Sequence, residues 1–159
     1  MRKKKLYLET SIINFVYADD SPDKKEVTIE MFNLLEKEED SYSLYISRLI
    51  LEEIGNAEGE KTRQLLEVIA NRNFTILEMT EEAQKLGERY IKEGLIPRKY
   101  DDDAYHIAIA TVHDMDVIVS WNFKHIVKMK TIEGVKWINE SEGYRPIEIY
   151  SPWEVLGSD

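Results

Sequence analysis

Cysteine is absent from the 159 residues, which excludes disulfides, thiolate nucleophiles and cysteine-ligated zinc. The absence agrees with a reducing cytoplasm, the compartment expected for this chain. No apolar stretch approaches the roughly 20 residues that a membrane-spanning helix needs, so a soluble protein with no membrane partner is expected. The start, MRKKKLYLETSIINFV, runs from basic to apolar as a leader does, but Glu9, Thr10, Ser11 and Asn14 interrupt the apolar part before any small-residue cleavage site. It reads as a first strand. Proline (4) and glycine (7) are sparse, and no Pro/Gly/Ser linker, low-complexity tract or internal repeat divides the chain, which predicts one domain over residues 1–159. With 43% apolar residues that domain has material for a core. Positive charge is also in short supply, since 21 Lys and Arg face 31 Asp and Glu for a formal net charge of −10. Most nucleic-acid binders are basic. Contact with phosphate would therefore rest on a metal that neutralises local acids, or on nearby cations such as Arg48, Arg98, Lys99, Lys124, Lys128 and Lys130. Taken singly, each of those cations reads as solvated surface.

What is present is an alternation of strand and helix signals. Residues 6–8 predict a strand, Ile12, Ile13 and Phe15 a short helix, and Asp19-Asp20-Ser21-Pro22 a turn and helix start. Val27, Met31, Leu34 and Leu35 recur at helical spacing. Residues 44–46 predict a second strand, Ser47 a cap for the helix carrying Glu53, and Leu65, Leu66 and Ile69 a further helix. Residues 74–77 read as a third strand. Ala83, Leu86, Gly87 and Tyr90 mark a helix that stops near Gly94 and Pro97, and another follows through His106 to His113. Residues 117–119 read as a buried strand, and Ile147 and Ile149 as a last one before Pro152 and Trp153. Strands alternating with helices imply an α/β fold with a mostly parallel sheet.

Four polar motifs sit where hydrophobic segments end: YLETS at 7–11, SRLILEEI at 47–54, YDDDAYHIAIA at 100–110 and VIVSWN at 117–122. In a parallel sheet they would bring Glu9, Glu53, Asp103 and Asn122 to one carboxyl edge, where open α/β sheets place ligands. Uncompensated carboxylates raise one another's pKa, and a hard divalent cation converts that repulsion into oxygen ligation. The chemistry suggested is metal-assisted phosphodiester hydrolysis. Each motif also has a plain structural reading: Glu9 as a strand-end polar residue, Asn122 as a turn or cap residue, and Asp101 or Asp102 as caps in a first turn where the helix dipole favours acids. His106 lies one helical turn after Asp103 and is placed to orient a carboxylate or a water. His113 and His125 show no ligand spacing with it, so no histidine metal site is assigned. Adjacent Glu52 and Glu53 point in different directions, and the spacing from Ser47 favours Glu53.

Taken in order, acid-Thr-Ser after the first strand, Ser with Glu six residues on, Asp-Ala-x-His-x-Ala-x-Ala, and Ser-x-Asn after a hydrophobic strand, the chain resembles the PIN domain family over nearly its whole length. That family includes the toxins of prokaryotic VapBC toxin–antitoxin pairs. The resemblance implies a three-layer domain with a sheet of about five strands in the order 3-2-1-4-5, flanked by helices. It implies a Mg²⁺- or Mn²⁺-dependent endoribonuclease acting on RNA, often homodimeric and held inactive by an antitoxin protein. Glu9 matches the first acid of the family, Glu53 the second, Asp103 the third and Asn122 the fourth position. Glu9, Glu53 and Asp103 are thus expected to be catalytic, and these three with Asn122 to be metal ligands.

Two positions depart from the family pattern, because Glu9 and Asn122 stand where Asp is usual. The longer Glu9 shifts its oxygens, and Mg²⁺ tolerates distorted octahedra poorly, so Mn²⁺ suits the site better. Asn122 removes one negative charge, so one well-held ion is expected at most. Thr10, Ser11 and Ser120 are candidates to hold waters or phosphate oxygens. The alternative is a catalytically impaired module on the same fold that binds RNA or a protein partner. A receiver-like or haloacid-dehalogenase-like phosphoryl-transfer domain needs an aspartate nucleophile after a strand, where this chain offers only Glu9. Tyr42, Tyr45 and Trp153 are candidates for a dimer interface.

Overall fold

The computed structural model describes residues 2–157. Strands β1 (Lys4–Leu8), β2 (Tyr42–Ser47), β3 (Phe74–Leu77), β4 (Val117–Val119) and β5 (Glu148–Tyr150) form one sheet in the order β3-β2-β1-β4-β5, with every neighbouring pair parallel. The class and the strand order are those expected from the sequence. Parallel neighbours need crossovers. Helices α1 (Thr10–Phe15) and α2 (Pro22–Lys37) join β1 to β2, and α3 (Arg48–Gly55) and α4 (Gly59–Ala70) join β2 to β3. Helices α5 (Glu81–Lys92) and α6 (Asp101–Val112) then lead back to β4, α7 (Met129–Ser141) joins β4 to β5, and α8 (Pro152–Leu156) follows.

From β1 the chain steps outward one way to β3, then crosses back and steps the other way through β4 to β5. Right-handed crossovers therefore put α1 to α4 on one face of the sheet and α5 to α7 on the other. The packing agrees: α1 meets α2, α3 and α4, α5 meets α6 and α7, and α8 returns to α2. The reversal makes the β1–β4 pair a switch point, and the carboxyl ends of those two strands are where such sheets gather ligands.

The central strands are buried on both faces, with Leu6, Tyr7, Leu8, Val117, Ile118 and Val119 all in the core. Small residues bring α6 close, since Ala104, Ala108 and Ala110 are fully buried. Helix α5 approaches α6 at Gly87, where a Cβ would stand 2.5 Å from Tyr105 Cδ1. Its run ends beside Gly94, whose φ of +79° is costly for any residue with a Cβ.

Three local expectations need correction. Ser47 occupies the N-cap position of α3 but makes no capping bond; its hydroxyl lies 2.8 Å from the Tyr7 hydroxyl in the core instead. Neither Asp101 nor Asp102 caps α6, because Tyr100 holds that position and the three aspartates all fall inside the first turn. Helix α7 has no counterpart among the predicted elements. Its buried residues include Thr131 and Asn139, while Met129, Ile132 and Trp137 are exposed, so the apolar spacing that marks a buried face is blurred.

At the opposite, amino edge of the sheet, Asp116 ties three strands together. Its carboxylate accepts from the Lys5 backbone N–H at 2.8 Å and from Arg2 and Arg145 at 2.9 Å, and its carbonyl accepts from Glu148 N–H. Burial alone would push this carboxyl up, but the bonds from Arg2, Lys5 and Arg145 outweigh it and hold the group far below the usual carboxylate range. Asp116→Asn is expected to cost about 2 kcal/mol in urea unfolding near neutral pH. A depressed folded-state pKa stabilises fully above the unfolded value of about 3.9 and progressively less as pH falls. The gap between variant and wild type should thus narrow in acid, and a gap independent of pH would refute this role.

Candidate active site

Glu9 directly follows β1, with its backbone N–H bonded to the Val119 carbonyl at 3.0 Å, so the two central strands place it at the switch point. Its backbone is extended and its carboxylate caps α1, accepting from Ser11 N–H at 3.1 Å. Oε1 also accepts from the hydroxyls of Ser11 (2.6 Å) and Ser120 (2.5 Å). The Ser11 hydroxyl in turn accepts from Trp121 N–H at 2.8 Å. Ser11 and Ser120, expected to hold waters or phosphate, are engaged in fixing this buried carboxylate.

Glu53 turns inward from α3, whereas Glu52 is exposed. Its Oε1 accepts from the Thr10 hydroxyl at 2.9 Å and lies 2.6 Å from His106 Nε2. The other ring nitrogen of His106 is 2.7 Å from the Tyr7 hydroxyl, which continues to Ser47. His106 is fully buried, and a buried imidazole needs partners at both nitrogens. Burial opposes charge on both members of the pair, but their short bond and mutual attraction prevail. Glu53 is accordingly held below its ordinary range and His106 above its own. Burial likewise keeps the Tyr7 hydroxyl protonated. His106 therefore orients Glu53, on a neighbouring helix, and not Asp103 on its own.

Asp103 lies in the first turn of α6 with Oδ2 3.0 Å from His125 Nδ1. Burial, then the charge of Glu9, push its carboxyl up, against the opposing pull of His106 and His125. Asp102 is raised too, by burial and then by Glu53. The charge of Glu9 thus acts on Asp103, and that of Glu53 on Asp102. Asn122 sits in the turn after β4, where its side-chain oxygen accepts from His125 N–H at 2.9 Å and its carbonyl from Ile126 and Val127. It shapes the loop that delivers His125 to Asp103.

The residues missed from sequence are therefore partners: Tyr7, His125 and Asp102. Asn-x-x-His after a strand is the signal of an Asx turn and was available for His125. A tyrosine inside an apolar strand gave no comparable sign.

Among the described residues, no three of these side chains stand close enough to close around one metal ion. The four expected ligands share one edge of the sheet, each held by its own partners, without forming a common coordination shell. The donor set fits a hard divalent cation in type and charge. Carboxylates with one oxygen fixed by Thr, Ser or His are how proteins orient ligands, and the push of the Glu9 charge on Asp103 is what a cation would relieve.

No protein-family model matches the sequence, and no curated protein matches it. Among solved structures, a chain of VapBC2 from Rickettsia felis, crystallised bound to a DNA fragment from their promoter, superposes with a TM-score of 0.56 at 15% identity. The match covers 92% of this chain and 98% of that one. The chain has a VapC-like PIN fold. At that identity the likeness concerns the fold, and the chemistry of this PIN-like chain has to be argued from its own side chains. No helix among the described residues is long and apolar enough to cross a membrane.

Proposed function

We propose that this chain is one PIN-like domain acting as a Mg²⁺- or Mn²⁺-dependent endoribonuclease, the toxin of a toxin–antitoxin pair. The observation that supports this most is that Glu9, Glu53 and Asp103 share the carboxyl edge of the sheet at its switch point, each oriented by a hydroxyl or a histidine. Glu9, Glu53 and Asp103, with the side-chain oxygen of Asn122 assisting, are the residues that would hold the ion. When bound, such an ion supplies activation of a water and stabilisation of the charge developing on phosphate.

The chain's own part is orientation. Thr10 and His106 hold Oε1 of Glu53, and His125 holds Oδ2 of Asp103, so the other oxygen of each is the one that would be offered to an ion. Tyr7 fixes the His106 ring from behind. Truncating such partners costs roughly 10- to 100-fold in metal affinity or activity, so Thr10→Ala is expected to lower the apparent Mn²⁺ affinity by about 10-fold. Titration of cleavage against Mn²⁺ checks this, and an unaltered midpoint would count against it.

A second reading, a binding module with an impaired site, is favoured by two details. Glu9 already serves three donors as a helix cap, and the Asn122 side-chain oxygen already serves His125. Incubating purified protein with single-stranded and structured RNAs, with Mn²⁺, Mg²⁺ or a chelator, separates the two. Cleavage abolished by chelator supports the nuclease, whereas metal-independent RNA binding without cleavage supports the module.

A further inference from the structure

We infer that Phe123 and Trp153, with Lys24 beside them, form a platform on which an unpaired nucleobase of a single-stranded RNA stacks next to the carboxylate site; this rests on the reading of that site as RNA-directed. The platform is built from three separate pieces of chain. Trp121 is buried at the end of β4 and packs edge-on against Trp153 of α8, with ring centroids 4.7 Å apart. Trp153 stacks at 19° on Phe123, whose ring also meets Trp121 at 6.1 Å. Phe15 of α1 closes the cluster against Trp121 at 5.8 Å. Two of these rings are left open, Phe123 at 39% and Trp153 at 49% exposure.

An exposed aromatic pair alone would fit a protein partner as well. Charge decides in favour of a nucleic acid. The Lys24 ammonium lies 5.4–5.5 Å from the Phe15, Trp121 and Phe123 rings, and among the described residues it has no carboxylate within salt-bridge distance, in a chain of net charge −10. The next residue along the loop, Lys124, lies with Lys99 over the Tyr100 ring, at 5.4 and 5.7 Å. Tyr100 itself packs against His125, with ring centroids 4.3 Å apart and planes tilted by 35°. Neither of these lysines has an acidic partner among the described residues.

Cations without acidic partners interleaved with open aromatic faces are the chemistry that single-stranded nucleic acids require, bases on rings and phosphates on ammonium groups. The cluster is also joined to the site: Trp121 N–H donates to Ser11, which donates to Glu9, and His125 bonds Asp103. A base on Phe123 and Trp153 would leave its flanking phosphates between Lys24 and Lys124, at the acidic edge.

The test is fluorescence anisotropy of a labelled single-stranded RNA decamer with the full chain in chelator, so that binding is read without cleavage. Phe123→Ala and Trp153→Ala are each expected to weaken binding about tenfold or more, and Trp153→Tyr to restore most of it. Lys24→Gln should reduce the salt dependence of binding by about one phosphate contact. A duplex of the same sequence, whose bases are already stacked, should bind more weakly than the single strand. Circular dichroism identifies any variant that fails to fold, and Phe123→Ala, at a loop position, keeps the test open should Trp153→Ala unfold α8. Tenfold losses in the ring variants support the platform even if the protein never cleaves RNA, in which case only the nuclease reading fails. Decamer affinity unchanged in folded Phe123→Ala and folded Trp153→Ala, or no binding by wild type, overturns it and assigns the surface to a protein partner.

Discussion

Replacing Asp103 with Asn is expected to lower Mn²⁺-dependent RNA cleavage by on the order of a thousandfold, while making the protein more stable in chelator. The two effects come from the same charge. Burial and Glu9 already disfavour the ionised form of Asp103, so without a cation the carboxylate destabilises the fold, and a neutral isostere that still accepts from His125 removes the strain. Relief of about 1 kcal/mol would raise the thermal midpoint by roughly 2–4 °C in a chain of this size. Added Mn²⁺ should stabilise the wild type through mass action and leave the variant unmoved. Thermal melts with and without Mn²⁺ check this directly. If the variant melts lower than wild type in chelator, Asp103 is a structural acid satisfied by His125, and its assignment as a ligand fails.

The second large effect concerns His106. His106→Ala is expected to cost about 3 kcal/mol or more, because Glu53 and Tyr7 both lose a buried partner at once. Tyr7→Phe, which removes only the hydroxyl between His106 and Ser47, should cost about 1 kcal/mol. Since the His106 penalty is mostly the isolation of Glu53, it should shrink by about 1–3 kcal/mol in a Glu53→Gln background. Urea unfolding of the two single variants and the double variant measures that coupling. Strict additivity would mean that His106 stabilises through Tyr7 and packing and not through Glu53.

The predicted strands at 6–8, 44–46, 74–77 and 117–119 all lie within observed strands, because buried parallel strands are short, apolar and bounded by polar breaks. Helix α7 escaped because Trp137 and Met129 point to solvent while Thr131 and Asn139 are buried, a mixture that periodicity does not register. The same limit applied at the site. The acids are legible in the sequence, but Ser47 at a helix start reads as a cap when its hydroxyl meets Tyr7 in the core, and Asp101 or Asp102 reads as a cap at a position that Tyr100 holds.

The strand order 3-2-1-4-5, with its reversal between β1 and β4, was implied by the resemblance to the PIN family; sequence by itself determined the alternation of strands with most of the helices, and with it a mostly parallel sheet. It also determined which acids stand at segment ends, since both properties are written in local spacing and composition. Only the tertiary structure decided who holds each acid: Ser120 for Glu9 from 111 positions away, His106 for Glu53 from 53, and His125 for Asp103 from 22. Those partners are chosen by burial. A carboxylate withdrawn from water must take whatever donor the fold brings within reach, and nothing in the local sequence of either partner records that meeting.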